Sequence, residues 1–206
     1  MSLPIYARER TALLLVDPYN DFLSEGGKLS GEAKLVADAV GTLQNLKDLV
    51  EAVRAAGIQI LYVPHHRARP GDYLMWKHPS PYQLGARQLQ VFAADSWGGE
   101  WHPDFRPHPG DIVVQEHWGA SGFANTDLDF QLKQLGVEKV VLAGMLANTC
   151  IESTGKWAAE LGYHVTLVRD ATAAFSSEAM HAAHEINGPT YAHVIATTSE
   201  FIVALG

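Results

Sequence analysis

Six short apolar runs punctuate the chain. They are Thr11–Asp17 (TALLLVD), Ile58–Pro64 (IQILYVP), Asp111–Gln115 (DIVVQ), Lys139–Gly144 (KVVLAG), His164–Asp170 (HVTLVRD) and His193–Thr197 (HVIAT). Each is rich in Val, Ile or Leu at successive rather than alternate positions, the habit of strands buried on both faces of a parallel sheet. Between them the period changes. Glu32–Ala56 repeats apolar residues at Leu35, Val36, Ala39, Val40, Leu43, Leu46, Leu49, Val50 and Val53, a helical stripe that Gly57 ends. Thr126–Leu135, Cys150–Leu161 and Ser176–Ile186 read as three further helices, the first two followed by Gly136 and Gly162. Strands alternating with helices of this length predict βαβ units with right-handed crossovers: an α/β fold, a six-stranded parallel sheet covered by helices on both faces.

His65–Pro109 breaks the alternation. It is rich in proline, and four of the five tryptophans lie between Trp76 and Trp118. Gln83–Ala93 is the one stretch in it with helical character. The rest reads as an ordered excursion across one end of the sheet, either lidding a pocket or packing on a partner subunit, since structureless loops of this length are rare unless functional. No repeat, low-complexity tract or linker interrupts the chain, so one domain over 1–206 is expected.

The 206 residues suffice to bury roughly 70% of the unfolded surface without covalent staples. A formal charge of −8, with no basic cluster, speaks against a nucleic-acid partner. A single cysteine, Cys150, rules out an intramolecular disulfide and suits a reducing compartment. No apolar run approaches the length of a membrane span, and MSLPIYARERTALLLVD lacks the pattern of a cleaved leader. A mature, soluble, cytoplasmic protein with no membrane partner is the expectation.

In an open parallel sheet, ligands bind beyond the carboxyl ends of the strands, where strand order reverses. Those ends carry Asp17, His65, His66, Glu116, His117, the turn Met145–Cys150 and Asp170. The first turn, Asp17-Pro18-Tyr19-Asn20, lacks a dinucleotide fingerprint, and no phosphate-binding G-x-x-x-x-G-K-[ST] or serine elbow occurs, so no cofactor is expected. Cys150 follows a strand and opens a helix. There a thiol loses its proton more readily and neighbouring amides can hold an oxyanion; a small buried hydrophobe is the plain alternative. Asp17 is either a capping acid or a general base, because the first and fourth strands are commonly neighbours at the reversal point. His65 and His66 point to opposite sides of an extended chain and make a poor chelating pair, though Asp72 could join one of them. His181 and His184 have helical spacing, but nothing else supports a metal, and none is expected. Phe22, Trp76, Trp118 and Phe123, with Asn20 beside them, could wall a substrate pocket or belong to the core.

Three separated segments together resemble the isochorismatase-like cysteine hydrolases, a family that includes nicotinamidases, N-carbamoylsarcosine amidohydrolases and isochorismatases. The segments are ALLLVDPYNDFLSEGGKL, SGFANTDLDFQLKQLGVEKVVLAG and ANTCIESTGKWAAELGYHVTLVRDATAA, in that order. The resemblance implies a three-layer, Rossmann-like sandwich with strand order 3-2-1-4-5-6, and homo-oligomers from dimers to octamers. It implies Asp17 as base, Cys150 as nucleophile, a non-proline cis peptide at Met145-Leu146, and an oxyanion hole from the N–H groups of Leu146 and Cys150. The third catalytic group of the family is a lysine at the end of the third strand. This chain has no lysine between Lys77 and Lys133. Counted from Gly110-Asp111 the position falls on Glu116; counted back from Phe123 it falls on His117. Strand phase favours Glu116. The nicotinamidase metal motif is not matched cleanly by VPHHRARPGDY.

The expected activity is hydrolysis of a small amide, carbamoyl or imide C–N bond through an acyl-thioester on Cys150. Two alternatives stand beside it: acid-catalysed cleavage of an isochorismate-type vinyl ether by Asp17, and a binding protein that lost activity with its lysine.

Overall fold

A computed structural model describes residues 3–206. Met1 and Ser2, which open the segment read as lacking a leader and the range 1–206, lie outside the described residues. Six parallel strands form one sheet in the order β3-β2-β1-β4-β5-β6. They are β1 (Thr11–Val16), β2 (Gln59–Val63), β3 (Ile112–Val113), β4 (Lys139–Met145), β5 (His164–Ala173) and β6 (Val194–Ala196). The strand order runs from 3 down to 1 and then from 4 up to 6, so the reversal lies between β1 and β4.

The uninterrupted apolar runs split between two cores. From β1, Leu13 and Leu15 face one core together with Leu46, Leu49 and Val53 of α3 (Thr42–Ala55) and Phe201 of α8 (Thr198–Leu205). Ala12, Leu14 and Val16 face the other, with Leu128 and Leu132 of α5 (Leu128–Gln134) and Ala158 of α6 (Glu152–Glu160). This two-sided burial is why the strand shows no alternation in sequence.

Three expected elements differ. The Glu32–Ala56 helix is two helices, α2 (Ser30–Val40) and α3, broken at Gly41, whose φ of 72° is left-handed. The helix expected from Cys150 is preceded by a wide π-type turn, Ala147–Ile151, that contains the cysteine, and α6 begins at Glu152. The third run yields only two strand residues, because β3 is an edge strand paired on one side by β2.

Two shorter helices are α1 (Asn20–Leu23) and α7 (Ser177–His181). The Pro-rich excursion holds α4 (Pro81–Leu89), capped by Ser80 and Gln83 in a reciprocal box. It then returns across the ends of β1 and β2. Trp101 pairs with Tyr19 in an antiparallel bridge, and their rings stack at 5.0 Å. Asp21, fully buried, fastens the return: its carboxylate accepts the amides of Lys28 at 3.0 Å and Phe92 at 2.6 Å.

Candidate active site

Three chain segments converge beyond the carboxyl ends of β1, β3 and β4. Asp17 is the first residue past β1. Its φ of 51° turns the chain out of the strand and is a strained conformation for a residue with a Cβ. The turn after β4 begins with the cis peptide Met145-Leu146 and carries Cys150. His117 is placed by pairing that continues beyond β2 and β3: its N–H donates to the Pro64 carbonyl at 2.9 Å, and its own carbonyl accepts from His66 at 2.8 Å. One ligating atom from each of Asp17, His117 and Cys150 lies within 4.8 Å of the other two, and all three residues are fully buried. Among the described residues this is the one cluster of three or more groups able to ligate a metal; His181 and His184 form none.

The bonding pattern assigns protons. Asp17 Oδ1 accepts the His65 amide at 2.6 Å and faces His117 Nε2 at 3.2 Å, while Oδ2 has no hydrogen-bond partner. His117 Nδ1 lies 2.6 Å from the Gly119 carbonyl, an obligate acceptor. Both ring nitrogens thus face oxygen atoms, a setting that favours the doubly protonated ring. Burial opposes that charge, but Asp17, the Gly119 carbonyl and Glu116 together outweigh it, and the His117 pKa rests above its ordinary value. His65, wholly enclosed, is pushed down to about 4 by burial and then by His117. Its Nδ1–H therefore donates to the His66 carbonyl at 2.9 Å.

Cys150 departs from the sequence expectation in one respect. A helix start was expected to lower its pKa. Instead burial, and then the charge of Asp17, hold the thiol well above its ordinary range. The resting group is a thiol beside Asp17, so the proton must leave as the sulfur attacks. Thr149 Oγ1 at 3.8 Å and Tyr82 Oη at 3.9 Å complete the polar surroundings of Sγ.

Glu116, the residue that strand phase favoured, points the other way. It binds Arg67 Nε at 2.6 Å and His66 Nδ1 at 3.1 Å, which hold its carboxyl down at about 2 against the effect of burial. His66 Nε2 meets Asp72 at 2.8 Å, so the adjacent histidines do face opposite sides, His65 toward the trio and His66 toward two acids. The side chain beside Asp17 is thus His117 and not Glu116. The irregular chain past Val113 carries no strand phase to count from.

A cavity of about 200 Å³, walled by Phe22, Leu29, Glu32, Tyr82, Gly85, Ala86, Leu89, Val91, Leu146 and Phe175, reaches the surroundings of the cysteine through Tyr82 and Leu146. Of the expected wall, Phe22 is there. Asn20, Trp76, Trp118 and Phe123 are not. The Asn20 amide donates to the Trp97 carbonyl at 2.8 Å, Trp118 stacks on His66 at 3.5 Å with Trp76 beyond it, and Phe123 lies in the core against Tyr163. Tyr82, Leu89 and Phe175 were missed. An apolar i, i+3, i+4, i+7 face on Pro81–Leu89 was the available signal. Larger surface clefts beside Arg169 and Lys156 include neither Tyr82 nor Leu146.

Comparison with known proteins gives one consistent picture. The family model for the isochorismatase domain matches residues 11–199. Ureidoacrylate amidohydrolase RutB of Rhizobium rhizogenes is 30% identical over 93% of this chain and 81% of its own length. The structure of a cysteine hydrolase from Pseudomonas syringae pv. phaseolicola superposes with a TM-score of 0.79 at 26% identity, covering 100% of this chain and 98% of that one. N-carbamoylsarcosine amidase from Thermoplasma acidophilum superposes with a TM-score of 0.66 at 27% identity, covering 92% and 96%.

Proposed function

The chain belongs to the isochorismatase family and is a hydrolase; from that premise we propose that it cleaves a small-molecule amide or carbamoyl C–N bond through an acyl-thioester on Cys150. The observation that carries this reading is the buried thiol within 4.8 Å of the Asp17 carboxyl, which has one oxygen free and the His117 ring at the other.

Asp17 Oδ2 takes the thiol proton as Sγ attacks the carbonyl carbon, so no free thiolate accumulates. The carbonyl oxygen becomes an oxyanion held by the N–H groups of Leu146 and Cys150, each contributing about 3 kcal/mol in comparable sites. As the oxyanion collapses, the C–N bond breaks and Asp17 returns the proton to the departing nitrogen. Water then attacks the thioester while Asp17 takes its proton. The C–S bond breaks, and the proton passes back to sulfur. His117 takes the place of the family's lysine: its cation favours the carboxylate form of Asp17 and offsets the cost of burying it.

Ureidoacrylate and N-carbamoylsarcosine, the compounds named for the relatives, are substrates to try beside simple neutral amides. Intact-mass measurement during turnover is expected to show wild-type chain plus the acyl group. Cys150→Ala is expected to show neither adduct nor turnover while keeping its melting temperature within a few degrees. Undiminished turnover by Cys150→Ala sinks the proposal.

A further inference from the structure

The cavity beside Cys150 has a composition that selects among amides. Tyr82 and Leu146 belong both to its wall and to the catalytic surroundings: Tyr82 Oη is 3.9 Å from Sγ, and Leu146 opens the turn that carries the cysteine. A carbonyl carbon in reach of Sγ can extend one substituent past Tyr82 and Leu146 into this space. Phe22, Leu89 and Phe175 make that space apolar, and Leu89 and Phe175 stand half exposed at its mouth.

Glu32 is the one charged residue of the wall, and its sign is negative. Nearby cations are turned elsewhere. On α4, Tyr82, Gly85, Ala86 and Leu89 share the face that lines the cavity; Arg87, two residues from Leu89 and Gly85, stands about 160° around the helix from both. The Lys28 ammonium donates to the Gln90 carbonyl. A carboxylate entering here would lose its water, meet no counter-ion and face Glu32. An alkyl or aryl group would gain about fourfold in affinity for each methylene buried.

From this we propose, resting on the amide-hydrolase reading above, that the acyl part of the substrate is uncharged and apolar, and that the α4 face with Gly85 at its centre sets its permitted size. A cavity of about 200 Å³ is smaller than sites that enclose drug-sized ligands, so the acyl group is short or a single ring. Gly85 leaves that room: a Cβ built on it meets no atom within 4 Å.

The test is calorimetric binding to Cys150→Ala, which does not depend on turnover. Hexanamide and phenylacetamide are expected to bind at least tenfold more tightly than succinamate, the monoamide of a dicarboxylic acid. The Cβ of Gly85→Leu has open space, and leucine suits a helix better than glycine; the variant is expected to weaken hexanamide binding at least tenfold. Leu89→Arg is expected to reverse the preference toward succinamate. Equal or tighter binding of succinamate by the Cys150→Ala protein overturns the proposal, as does undetectable binding of hexanamide or its indifference to Gly85→Leu. Turnover of the same amides by the wild-type chain judges the hydrolase reading separately. Selective binding without Cys150-dependent turnover would remove the chemistry and leave the apolar subsite standing.

Discussion

The replacement of a lysine by His117 changes how activity should respond to pH. An imidazolium between Asp17 and the Gly119 carbonyl can lose its proton within an accessible range, whereas a lysine holds its own until far more alkaline pH. The His117 pKa is raised, so the alkaline limb of the kcat/KM profile is expected above pH 6.5. His117→Lys should retain turnover and move that limb up by more than one pH unit. His117→Asn should cost roughly 10²–10³-fold in kcat, the scale of losing a preorganised charge partner. A profile that is the same for wild type and His117→Lys would show that the ring's proton plays no part. Cys150 carries a related expectation. Because burial and Asp17 hold it as a thiol, alkylation by iodoacetamide should be slow at neutral pH even in a fully active enzyme. Fast labelling at pH 7 would contradict this. Cys150 and Asp17 were legible as candidates from their positions at strand ends. The choice of His117 over Glu116 was not, because it depends on how two irregular segments pair after their strands have ended.

Among the elements, the sheet was the easiest to read and the helix breaks the hardest. Continuous apolar runs announced the strands because each face of the sheet meets its own core. The break at Gly41 is hidden in sequence, since the apolar stripe runs on across it; only its left-handed conformation separates α2 from α3. Helix α8 was overlooked although its capping box, Thr197 to Glu200, precedes an apolar run. Two predictions belong to this scale. Gly144, in β4, has a φ of 118°, and a Cβ there would run into the Val16 carbonyl of β1. Gly144→Ala is expected to destabilise by about 2 kcal/mol or more, read as a shift in denaturation midpoint, because neither strand can move without breaking the ladder. Asp21→Ala leaves the buried Phe92 amide and the part-buried Lys28 amide without their acceptor and should cost about 1–3 kcal/mol. It should also speed proteolytic cleavage within the excursion it fastens. Unchanged stability in both variants would show the close approach and the carboxylate clamp to be inert.

The pH dependence of stability is a property of the whole molecule, because groups of opposite tendency are spread through it. His65 is held neutral with its pKa near 4, so its contribution is present above its unfolded value of about 6.5 and is lost as pH falls toward 4. Glu116, near 2 when folded, contributes fully above its unfolded value of about 4.3 and loses that contribution as pH falls toward 2. His66 and His117 have raised pKa values: their contributions are complete below about 6.5 and fade as pH rises through the folded values. Melting temperature should therefore peak near neutrality and fall on both sides. His117→Asn should flatten the alkaline side. A curve that climbs steadily from pH 5 to 9 would contradict the assignment of a cationic His117.

The sequence alone determined the layered architecture, the strand order through its resemblance, and the placing of Asp17 and Cys150 at one end of the sheet. Those features follow from local hydrophobic periodicity and from segments whose residues lie close together along the chain. Tertiary structure decided which residue partners Asp17, which way Glu116 faces, how far Cys150 is from ionising, and which aromatic residues wall the cavity. Each of these depends on burial and on contacts between segments from about 48 to more than 100 residues apart. Neither burial nor long-range contact has a signature in the order of residues. They arise only when the excursion folds back over the sheet and removes water from the charges beneath it.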